Sequence, residues 1–154
     1  MTLAIPIPGG EDLRLDHLML DVNGTLTSRG VLVDGVTIRA ARLLTALDVH
    51  LVSADTFGTL DSIAGKLRAT GVRVGSGEDK LRKLDELGRH RTAVIGNGTN
   101  DVLALEAAAL GIAVIGPEGA SAVAIQAADV VCGSIVDALD LLLEPRALTA
   151  TLRH

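Results

Sequence analysis

Four groups of reactive side chains follow one another along this chain of 154 residues. The first is the segment D-V-N-G-T-L-T, from Asp21 to Thr27, in which a carboxylate follows an apolar run. An aspartate held at the end of a buried strand can attack phosphorus and form an aspartyl-phosphate, provided that a cation neutralises the repulsion between the carboxylate and an anionic substrate. Asp21 is therefore the candidate nucleophile.

The turn after this aspartate is predicted to hold a phosphate group. Successive backbone N–H groups of Val22, Asn23 and Gly24 can form an anion-binding nest, and the glycine lacks the side chain that would block close approach. In the second group, S-A-D-T, the Ser53 hydroxyl can donate to a phosphate oxygen, and the Ala54 N–H offers a second donor. Both segments are thus candidates for phosphate binding.

A lysine and a polar segment complete the set. Lys80 places a compact positive charge where it can balance a phosphoryl group and a carboxylate together. The segment I-G-N-G-T-N-D carries oxygen-bearing side chains at Asn97, Asn100 and Asp101. Hard oxygen ligands of this kind suit Mg²⁺, which takes one or two carboxylates together with substrate phosphate and waters. Mg²⁺ is therefore the predicted cofactor.

Each group taken alone has a simpler explanation. The sequence D-x-N-G is also a common turn, Ser53 could cap a helix, and Lys80 could be a solvated lysine on a helix surface. Asn97 and Asn100 could be turn residues, with Asp101 as the N-cap of the helix that follows. The fixed order of the four groups favours the catalytic interpretation, because three follow predicted parallel strands and the lysine lies between the last two.

The apolar pattern predicts the elements that would position these residues. Short β-branched runs alternate with longer stretches of helical spacing, as in successive βα units. Gly71 and Gly88 are predicted to end two of the helices. The predicted strands are 17–20, 49–52, 72–74, 92–95 and 112–115, with a short edge strand at 130–131 and a flap hairpin at 31–33. The predicted helices are 38–47, 60–69, 79–87, 101–110, 120–127 and 135–143, with a further piece after Pro145.

This alternation predicts a three-layer, Rossmann-like α/β fold with a mostly parallel central sheet of five to six strands. Ligands bind outside the carboxyl ends of the strands in such sheets, where the polar groups of this chain follow the apolar runs. At 154 residues the chain has the usual length of one domain, so a single domain over 1–154 is expected. Residues 1–12 are expected to be an irregular segment.

Composition argues against several classes of function. The net charge of −5 and Phe57 as the sole aromatic residue argue against nucleic-acid binding, which relies on clustered Lys and Arg and on stacking rings. No apolar stretch reaches 18 residues, so no membrane span is expected. The prolines and glycines near the start do not fit a signal peptide, which makes the cytoplasm the expected compartment. Cys132, the single cysteine, is expected to be a core residue.

The four groups together resemble the haloacid dehalogenase superfamily in its order of nucleophile loop, Ser/Thr, Lys and acidic loop, over nearly the whole chain. The acidic loop corresponds here to Ile95 to Asp101. Asp21 to Thr27 resembles the D-K-T-G-T-L-T of P-type ATPases and the D-x-D-G-T of phosphatases. The stretch from Gly96 to Gly116 is similar to the G-D-G-x-N-D-x-P-A-L segment and the G-I-A strand after it. The resemblance is strongest to the soluble P-type ATPase-like group, which shares S/T-A-D-T-x-G-T and I-G-P-E-G-A, here Ser53 to Thr59 and Ile115 to Ala120.

The resemblance implies a hydrolase that is a Mg²⁺-dependent phosphohydrolase or phosphotransferase. It would act through an aspartyl-phosphate on a phosphorylated small molecule or another phosphoryl donor. The gaps from Asp21 to Ser53 and from Ser53 to Lys80 leave no room for a cap domain. An open site of this kind suggests a homo-oligomer that contacts through the flap or the aliphatic C-terminus. The implied catalytic residues are Asp21, Asn23, Ser53 and Lys80, and the implied metal ligands are Asp21, the Asn23 carbonyl oxygen, Asn97 and Asp101.

Two positions depart from the family pattern. Asn23 stands where the phosphatases have the aspartate that protonates the leaving group, and an amide cannot move that proton. General acid–base catalysis typically contributes about 10²- to 10⁴-fold in rate, so slow turnover is expected. Asn97 replaces the first aspartate of the acidic loop, which should weaken Mg²⁺ binding.

Two alternatives therefore stay open beside the enzyme. The first is a catalytically weak phosphate-binding or regulatory module that keeps the fold, and the replacements at Asn23 and Asn97 favour it. The second is a nucleotide-binding Rossmann domain. That domain ranks last, because the chain lacks G-x-G-x-x-G after its first strand.

Overall fold

The chain folds into ten β-strands and seven α-helices in a computed structural model that describes residues 1–154. The strands are β1 (Leu3–Ile5), β2 (Leu13–Leu15), β3 (His17–Leu20), β4 (Thr27–Ser28), β5 (Val31–Leu32), β6 (Asp48–Ser53), β7 (Thr70–Arg73), β8 (Thr92–Gly96), β9 (Leu110–Val114) and β10 (Val130–Cys132). The helices are α1 (Val36–Leu43), α2 (Leu60–Leu67), α3 (Gly77–Leu87), α4 (Val102–Ala107), α5 (Ala122–Ala127), α6 (Ile135–Leu143) and α7 (Pro145–Leu152).

Six of the strands form one parallel sheet in the order β10-β9-β8-β3-β6-β7. Successive side chains of a strand point to opposite faces, so Leu18 and Leu20 of β3 pack into one apolar cluster and Met19 into the other. The first cluster includes buried residues of α1, α2 and α6, and the second includes those of α3, α4 and α5. The predicted three-layer α/β fold with a parallel sheet is confirmed.

The central position of β3 sets the location of the candidate site. Its neighbours in the sheet are β6 and β8, and all three strands run in the same direction. Their carboxyl ends therefore meet at one edge, where Asp21, Ser53 and the segment after Gly96 leave the sheet. None of the seven helices combines the length and the apolar character that crossing a membrane requires.

The N-terminal segment is more ordered than the sequence indicated. Strand β1 pairs with β2 as an antiparallel hairpin, with Leu3 opposite Leu15, so the expectation of an irregular segment over 1–12 was wrong for Leu3–Ile5. Ile5 and Leu15 are fully buried, because this hairpin packs its apolar face on the main core.

Two helix ends differ in how well they match the prediction. Gly71 does not end α2, which stops at Leu67 and is followed by Arg68 in the left-handed conformation. Gly71 lies inside β7, where a Cβ atom would come within 3.2 Å of Ala64 Cβ, so close packing of helix on strand explains this glycine. By contrast, Gly88 does follow the last residue of α3, as predicted.

The predicted helix over 101–110 is shorter in the structure. A 3₁₀ turn covers Thr99–Asp101, α4 covers only Val102–Ala107, and β9 already begins at Leu110. The apolar residues of 108–110 fit either a helix or a strand, so their spacing did not separate the two elements.

Gly111 in β9 carries a stability prediction. A Cβ atom at this position would collide with the carbonyl oxygen of Leu105 in α4, so Gly111→Ala must move backbone. We expect a loss of about 1–3 kcal/mol in the free energy of unfolding, measured by urea denaturation. Gly133→Ala is the matched control, because nothing lies within 4 Å of the added methyl there. Equal stability of the two variants would contradict the prediction.

Candidate active site

Lys80 lies between two buried carboxylates at the carboxyl edge of the sheet. Its Nζ donates to Asp21 Oδ1 at 2.8 Å and to Asp101 Oδ1 at 2.6 Å. Lys80 and Asp101 are 1% and 2% exposed, and Asp21 is 9% exposed. Lys80 is therefore not a solvated surface lysine. The structure brings together three side chains that are up to 80 positions apart in the sequence.

The start of α3 explains how Lys80 reaches the site. The Ser76 hydroxyl caps this helix by accepting from the Asp79 backbone N–H at 3.2 Å, which satisfies one of the free donors at the helix end. The first turn packs closely on the acidic loop, since a Cβ atom at Gly77 would lie 3.1 Å from the Asn100 carbonyl oxygen. Lys80, in this first turn, is thereby directed at Asp21 and away from solvent.

Thr25 is a site residue that was not predicted from the sequence. Its buried hydroxyl lies 3.2 Å from Asp21 Oδ2 and 3.1 Å from Asn97 Oδ1, so it joins the nucleophile turn to the acidic loop. A hydroxyl inside the turn, directly after Gly24, was the available signal. Its contact with Asn97 spans 72 positions of sequence and depends on the tertiary fold.

Asn97 connects three loops through its amide. Its Oδ1 lies beside Thr25, while its Nδ2 donates to the Gly119 carbonyl oxygen at 3.1 Å. Gly24 has φ +74, and a Cβ atom there would lie 2.5 Å from Asn97 Nδ2. A side chain at position 24 would therefore be strained and would also displace the amide.

Both oxygens of the Asp101 carboxylate are already engaged. Oδ1 accepts from Lys80, and Oδ2 accepts from the backbone N–H groups of Asn97 and Gly98, each at 3.0 Å. Asp101 also begins α4 as its N-cap residue, although its side chain makes no capping hydrogen bond to that helix. The carboxylate thus fixes the lysine and the acidic loop in one arrangement.

The predicted phosphate-binding residues lie at the same edge. Ser53 is 1% exposed, and its Oγ accepts from the Asp55 N–H at 2.9 Å, so its own proton remains available to a ligand. Ser53 is not a helix cap, because Thr59 is the N-cap residue of α2. Ala54 is exposed to solvent.

The nucleophile turn is held by one backbone acceptor. The Val22 carbonyl oxygen accepts from the backbone N–H groups of Thr25, Leu26 and Thr27, at 3.1, 2.9 and 3.1 Å. Asn23 is partly buried in this turn. By contrast, Asn100 is exposed to solvent.

The electrostatics of the site are dominated by burial and by the excess of carboxylates. Burial raises the pKa of Asp21 to about 6, and the neighbouring Asp101 acts in the same direction, in opposition to Lys80. Burial lowers the pKa of Lys80, but the attraction of Asp21 and Asp101 outweighs it, so the pKa of Lys80 is raised. The cluster therefore has one carboxylate more than it has ammonium groups, a buried charge that a cation would offset.

The donor atoms fit a hard divalent cation. Asp21 Oδ2 and Asn97 Oδ1 are both in contact with the Thr25 hydroxyl, which places a carboxylate oxygen near an amide oxygen. No group of three or more His, Cys, Asp or Glu side chains forms a preformed metal cage. Mg²⁺ does not require such a cage, because it keeps several waters and takes one or two carboxylates.

Comparison with known sequences identifies a relative that matches about half of the chain. No family model matches the chain. The uncharacterized protein MJ0073 of Methanocaldococcus jannaschii is 49% identical over 78 residues, which is 48% of this chain and 84% of that protein.

Solved structures share the fold. The cobalt-bound deoxy-D-mannose-octulosonate 8-phosphate phosphatase of Haemophilus influenzae has a TM-score of 0.70 at 18% identity, covering 88% of this chain and 91% of that chain. The corresponding phosphatase of Moraxella catarrhalis, in complex with magnesium, phosphate and KDO, has a TM-score of 0.66 at 18% identity over 88% and 90%.

A zinc-transporting PIB-type ATPase has a TM-score of 0.63 at 25% identity, covering 79% of this chain and 20% of that chain. The fold of this chain is therefore shared with phosphatases and with part of the ATPase alike. The chain belongs to the family of the Methanocaldococcus jannaschii protein and has the capless fold of the haloacid dehalogenase superfamily.

Proposed function

We propose that the protein is a Mg²⁺-dependent phosphohydrolase or phosphotransferase in which Asp21 accepts the phosphoryl group. The observation that carries this proposal is the buried arrangement in which Lys80 is hydrogen-bonded to both Asp21 and Asp101 at the carboxyl edge of the sheet. The likeness to phosphatases that act on a phosphorylated sugar acid supports a phosphorylated small molecule as substrate. The likeness to the ATPase supports another phosphoryl donor as the alternative substrate.

Each side chain of the site has a different role in the proposed phosphoryl transfer. Lys80 holds Asp21 Oδ1 and the Thr25 hydroxyl contacts Oδ2, so the carboxylate is fixed in orientation before substrate binds. An oxygen of Asp21 attacks phosphorus while the bond to the leaving oxygen breaks. The Ser53 hydroxyl and the Ala54 N–H donate to the equatorial phosphoryl oxygens, where negative charge is spread in the transition state.

The metal would be held by Asp21, the Asn23 carbonyl oxygen, Asn97 and Asp101, with waters completing its coordination. When bound, Mg²⁺ would neutralise negative charge between the carboxylate and the phosphoryl group. Asp101 has both oxygens in hydrogen bonds, so its contribution would pass through a water or require one of these bonds to open.

Asn23 sets the expected rate. Its amide cannot give a proton to the leaving oxygen or activate water, so the leaving group takes its proton from solvent and the aspartyl-phosphate persists. The second candidate function is a phosphate-binding or regulatory module with little turnover, which the amides at Asn23 and Asn97 favour. It would keep the phosphate nest without forming a covalent adduct.

One experiment separates the two functions. The protein is incubated with Mg²⁺ and acetyl phosphate, ATP or p-nitrophenyl phosphate, and is assayed for a hydroxylamine-labile adduct and for released phosphate. We expect an adduct in the native protein and none in Asp21→Ala. Asp48→Ala is the matched control, because that carboxylate is 80% exposed at the opposite end of the strands. Absence of any adduct or release would contradict the enzyme and support the binding module.

Asn97→Asp tests the assignment of the metal. The change adds a carboxylate beside Asp21, and we expect Mg²⁺ affinity to rise about tenfold in calorimetric titration, since affinity follows ligand charge. The carboxylate cannot donate to Gly119, so the metal-free variant should also lose about 1 kcal/mol of stability. Unchanged Mg²⁺ affinity would exclude position 97 from the metal site.

The open site also supports a homo-oligomer. Val31, in the flap hairpin of β4 and β5, is 70% exposed, and Ile38 on the following helix is 65% exposed. Contact between copies through this region would cover both side chains. Sedimentation velocity that finds only monomer at all concentrations would remove this part of the proposal.

A further inference from the structure

Phe57 is the sole aromatic residue of the chain, and it is half exposed in the loop that follows the candidate phosphate-binding residue Ser53. It lies in the loop 54–59 between β6 and α2, four residues after Ser53. Single exposed apolar residues are common on protein surfaces, so exposure alone assigns nothing to this ring. The contacts of its loop, however, connect the ring to the candidate site.

Asp55 fixes the loop to a phosphate-binding residue. Its backbone N–H donates to Ser53 Oγ at 2.9 Å, and its carboxylate accepts from the Leu60 N–H at 3.0 Å and from Arg73 Nε at 2.8 Å. Asp55 has φ +58, so the chain turns sharply here. The ring of Phe57 is thus presented by a loop that is tied at both ends to the sheet and to α2.

The ring also lies close to the flap. Gly30, at the tip of the β4–β5 hairpin, has its missing Cβ position 3.5 Å from Phe57 Cγ. The neighbouring Arg29 N–H donates to Glu118 Oε2 at 2.9 Å, so the flap tip is held between the ring and the loop after β9. The flap itself starts from the nucleophile turn, where the Thr27 N–H donates to the Val22 carbonyl oxygen.

The loop 54–59 follows the carboxyl end of β6 and is therefore one of the loops that a leaving group could meet. The attacking and leaving oxygens lie roughly in line through phosphorus, so a leaving group opposite Asp21 points away from the sheet edge toward the surrounding loops. The loop 54–59 offers it no free charge, because the Asp55 carboxylate is already paired with Arg73. What this loop offers is the face of one aromatic ring.

We propose that Phe57 is a specificity-determining residue that selects phosphate esters whose leaving group carries a planar, apolar ring. This inference rests on the proposed function, because it assigns the leaving-group side of the same site. A ring packed on Phe57 gains buried apolar area and stacking contact. A small aliphatic or strongly hydroxylated leaving group gains little from that surface.

Binding of two phosphonates tests the proposal without relying on turnover. The carbon–phosphorus bond of phenylphosphonate and of methylphosphonate is not cleaved by this chemistry, so dissociation constants in Mg²⁺ report recognition alone. We expect the native protein to bind phenylphosphonate about fivefold to tenfold more tightly than methylphosphonate. Phe57→Ala should reduce this ratio to about one, with methylphosphonate affinity as the internal reference.

Two further variants keep the test decisive. Phe57→Leu retains apolar bulk against Gly30 but lacks the planar face, so it should show an intermediate ratio. Val131→Ala removes a similarly exposed apolar side chain on β10, at the opposite edge of the sheet, and should leave the ratio unchanged. A ratio of one in the native protein, or a full ratio in both Phe57 variants, would overturn the proposal.

The same samples separate failure of this inference from failure of the proposed function. Acetyl phosphate has no ring, so its hydroxylamine-labile adduct in the native protein reports phosphoryl transfer independently of Phe57. No adduct would contradict phosphoryl transfer by Asp21. An adduct together with equal affinity for the two phosphonates would contradict only the role of Phe57.

Discussion

Lys80→Met is expected to destabilise the protein by about 3–5 kcal/mol at pH 7.5 and to abolish phosphoryl transfer. The substitution removes the ammonium group that donates to Asp21 and Asp101, and it leaves two buried carboxylates beside each other without a counter-charge. Methionine fills a similar volume, so the loss reports electrostatics more than packing. Urea denaturation in metal-free buffer gives the change in the free energy of unfolding.

Two further variants show whether the loss of stability in Lys80→Met comes from the buried charges. Lys83→Met alters a partly exposed lysine of α3, which pairs with Glu86 at 3.5 Å and should contribute at most about 1 kcal/mol. The double variant Asp21→Asn/Lys80→Met should recover part of the loss, because one uncompensated charge is gone. If Lys80→Met remains within about 1 kcal/mol of the native protein, the ammonium group of Lys80 is not needed to offset the two buried carboxylates.

Asp21→Asn is expected to abolish the phospho-enzyme and yet to raise the stability of the metal-free protein by about 3 kcal/mol at pH 7.5. Burial raises the pKa of Asp21 from 3.8 to about 6, so between these values the folded protein binds more protons than the unfolded chain. The free energy of unfolding of the native protein therefore falls as pH rises through this window. The asparagine variant has no ionisation at this position and lacks this contribution.

Urea denaturation at pH 4.5 and pH 7.5, with metal removed by chelation, measures the effect. Asp48→Asn is the matched control, because that side chain is 80% exposed and should leave the stability difference between the two pH values intact. Addition of Mg²⁺ should stabilise the native protein and not Asp21→Asn, since a ligand stabilises only the state that binds it. A variant less stable than the native protein at pH 7.5 would show that Lys80 outweighs the cost of burial.

The charges of Asp21 and Lys80 have opposite effects on the stability of the fold near neutral pH. The ionised Asp21 carboxylate destabilises the fold near neutral pH because it is buried. A chemical function therefore explains this residue better than a contribution to stability does. Lys80 limits that cost by sharing its charge between Asp21 and Asp101. The proposed cation would offset the negative charge that Lys80 leaves uncompensated.

The order of strands and helices could be predicted from the sequence, because each of them has to bury its own apolar side chains. Alternating runs predicted the strands of the central sheet and the helices between them, and parallel pairing then placed Asp21, Ser53 and Asp101 at one edge. Local spacing could not separate the end of α4 from the start of β9. Nor could it assign Gly71, whose role is close packing against Ala64.

Periodicity and chain direction are local properties, so the α/β class, the order of the elements and the carboxyl edge at which the reactive groups gather could be predicted from the sequence. The three-dimensional packing was needed to show that Lys80 is buried between two carboxylates, that Thr25 joins Asp21 to Asn97, and that the flap tip lies close to Phe57. Those contacts join loops far apart along the chain. Their geometry follows from how the strands and helices pack, which no local pattern of residues encodes.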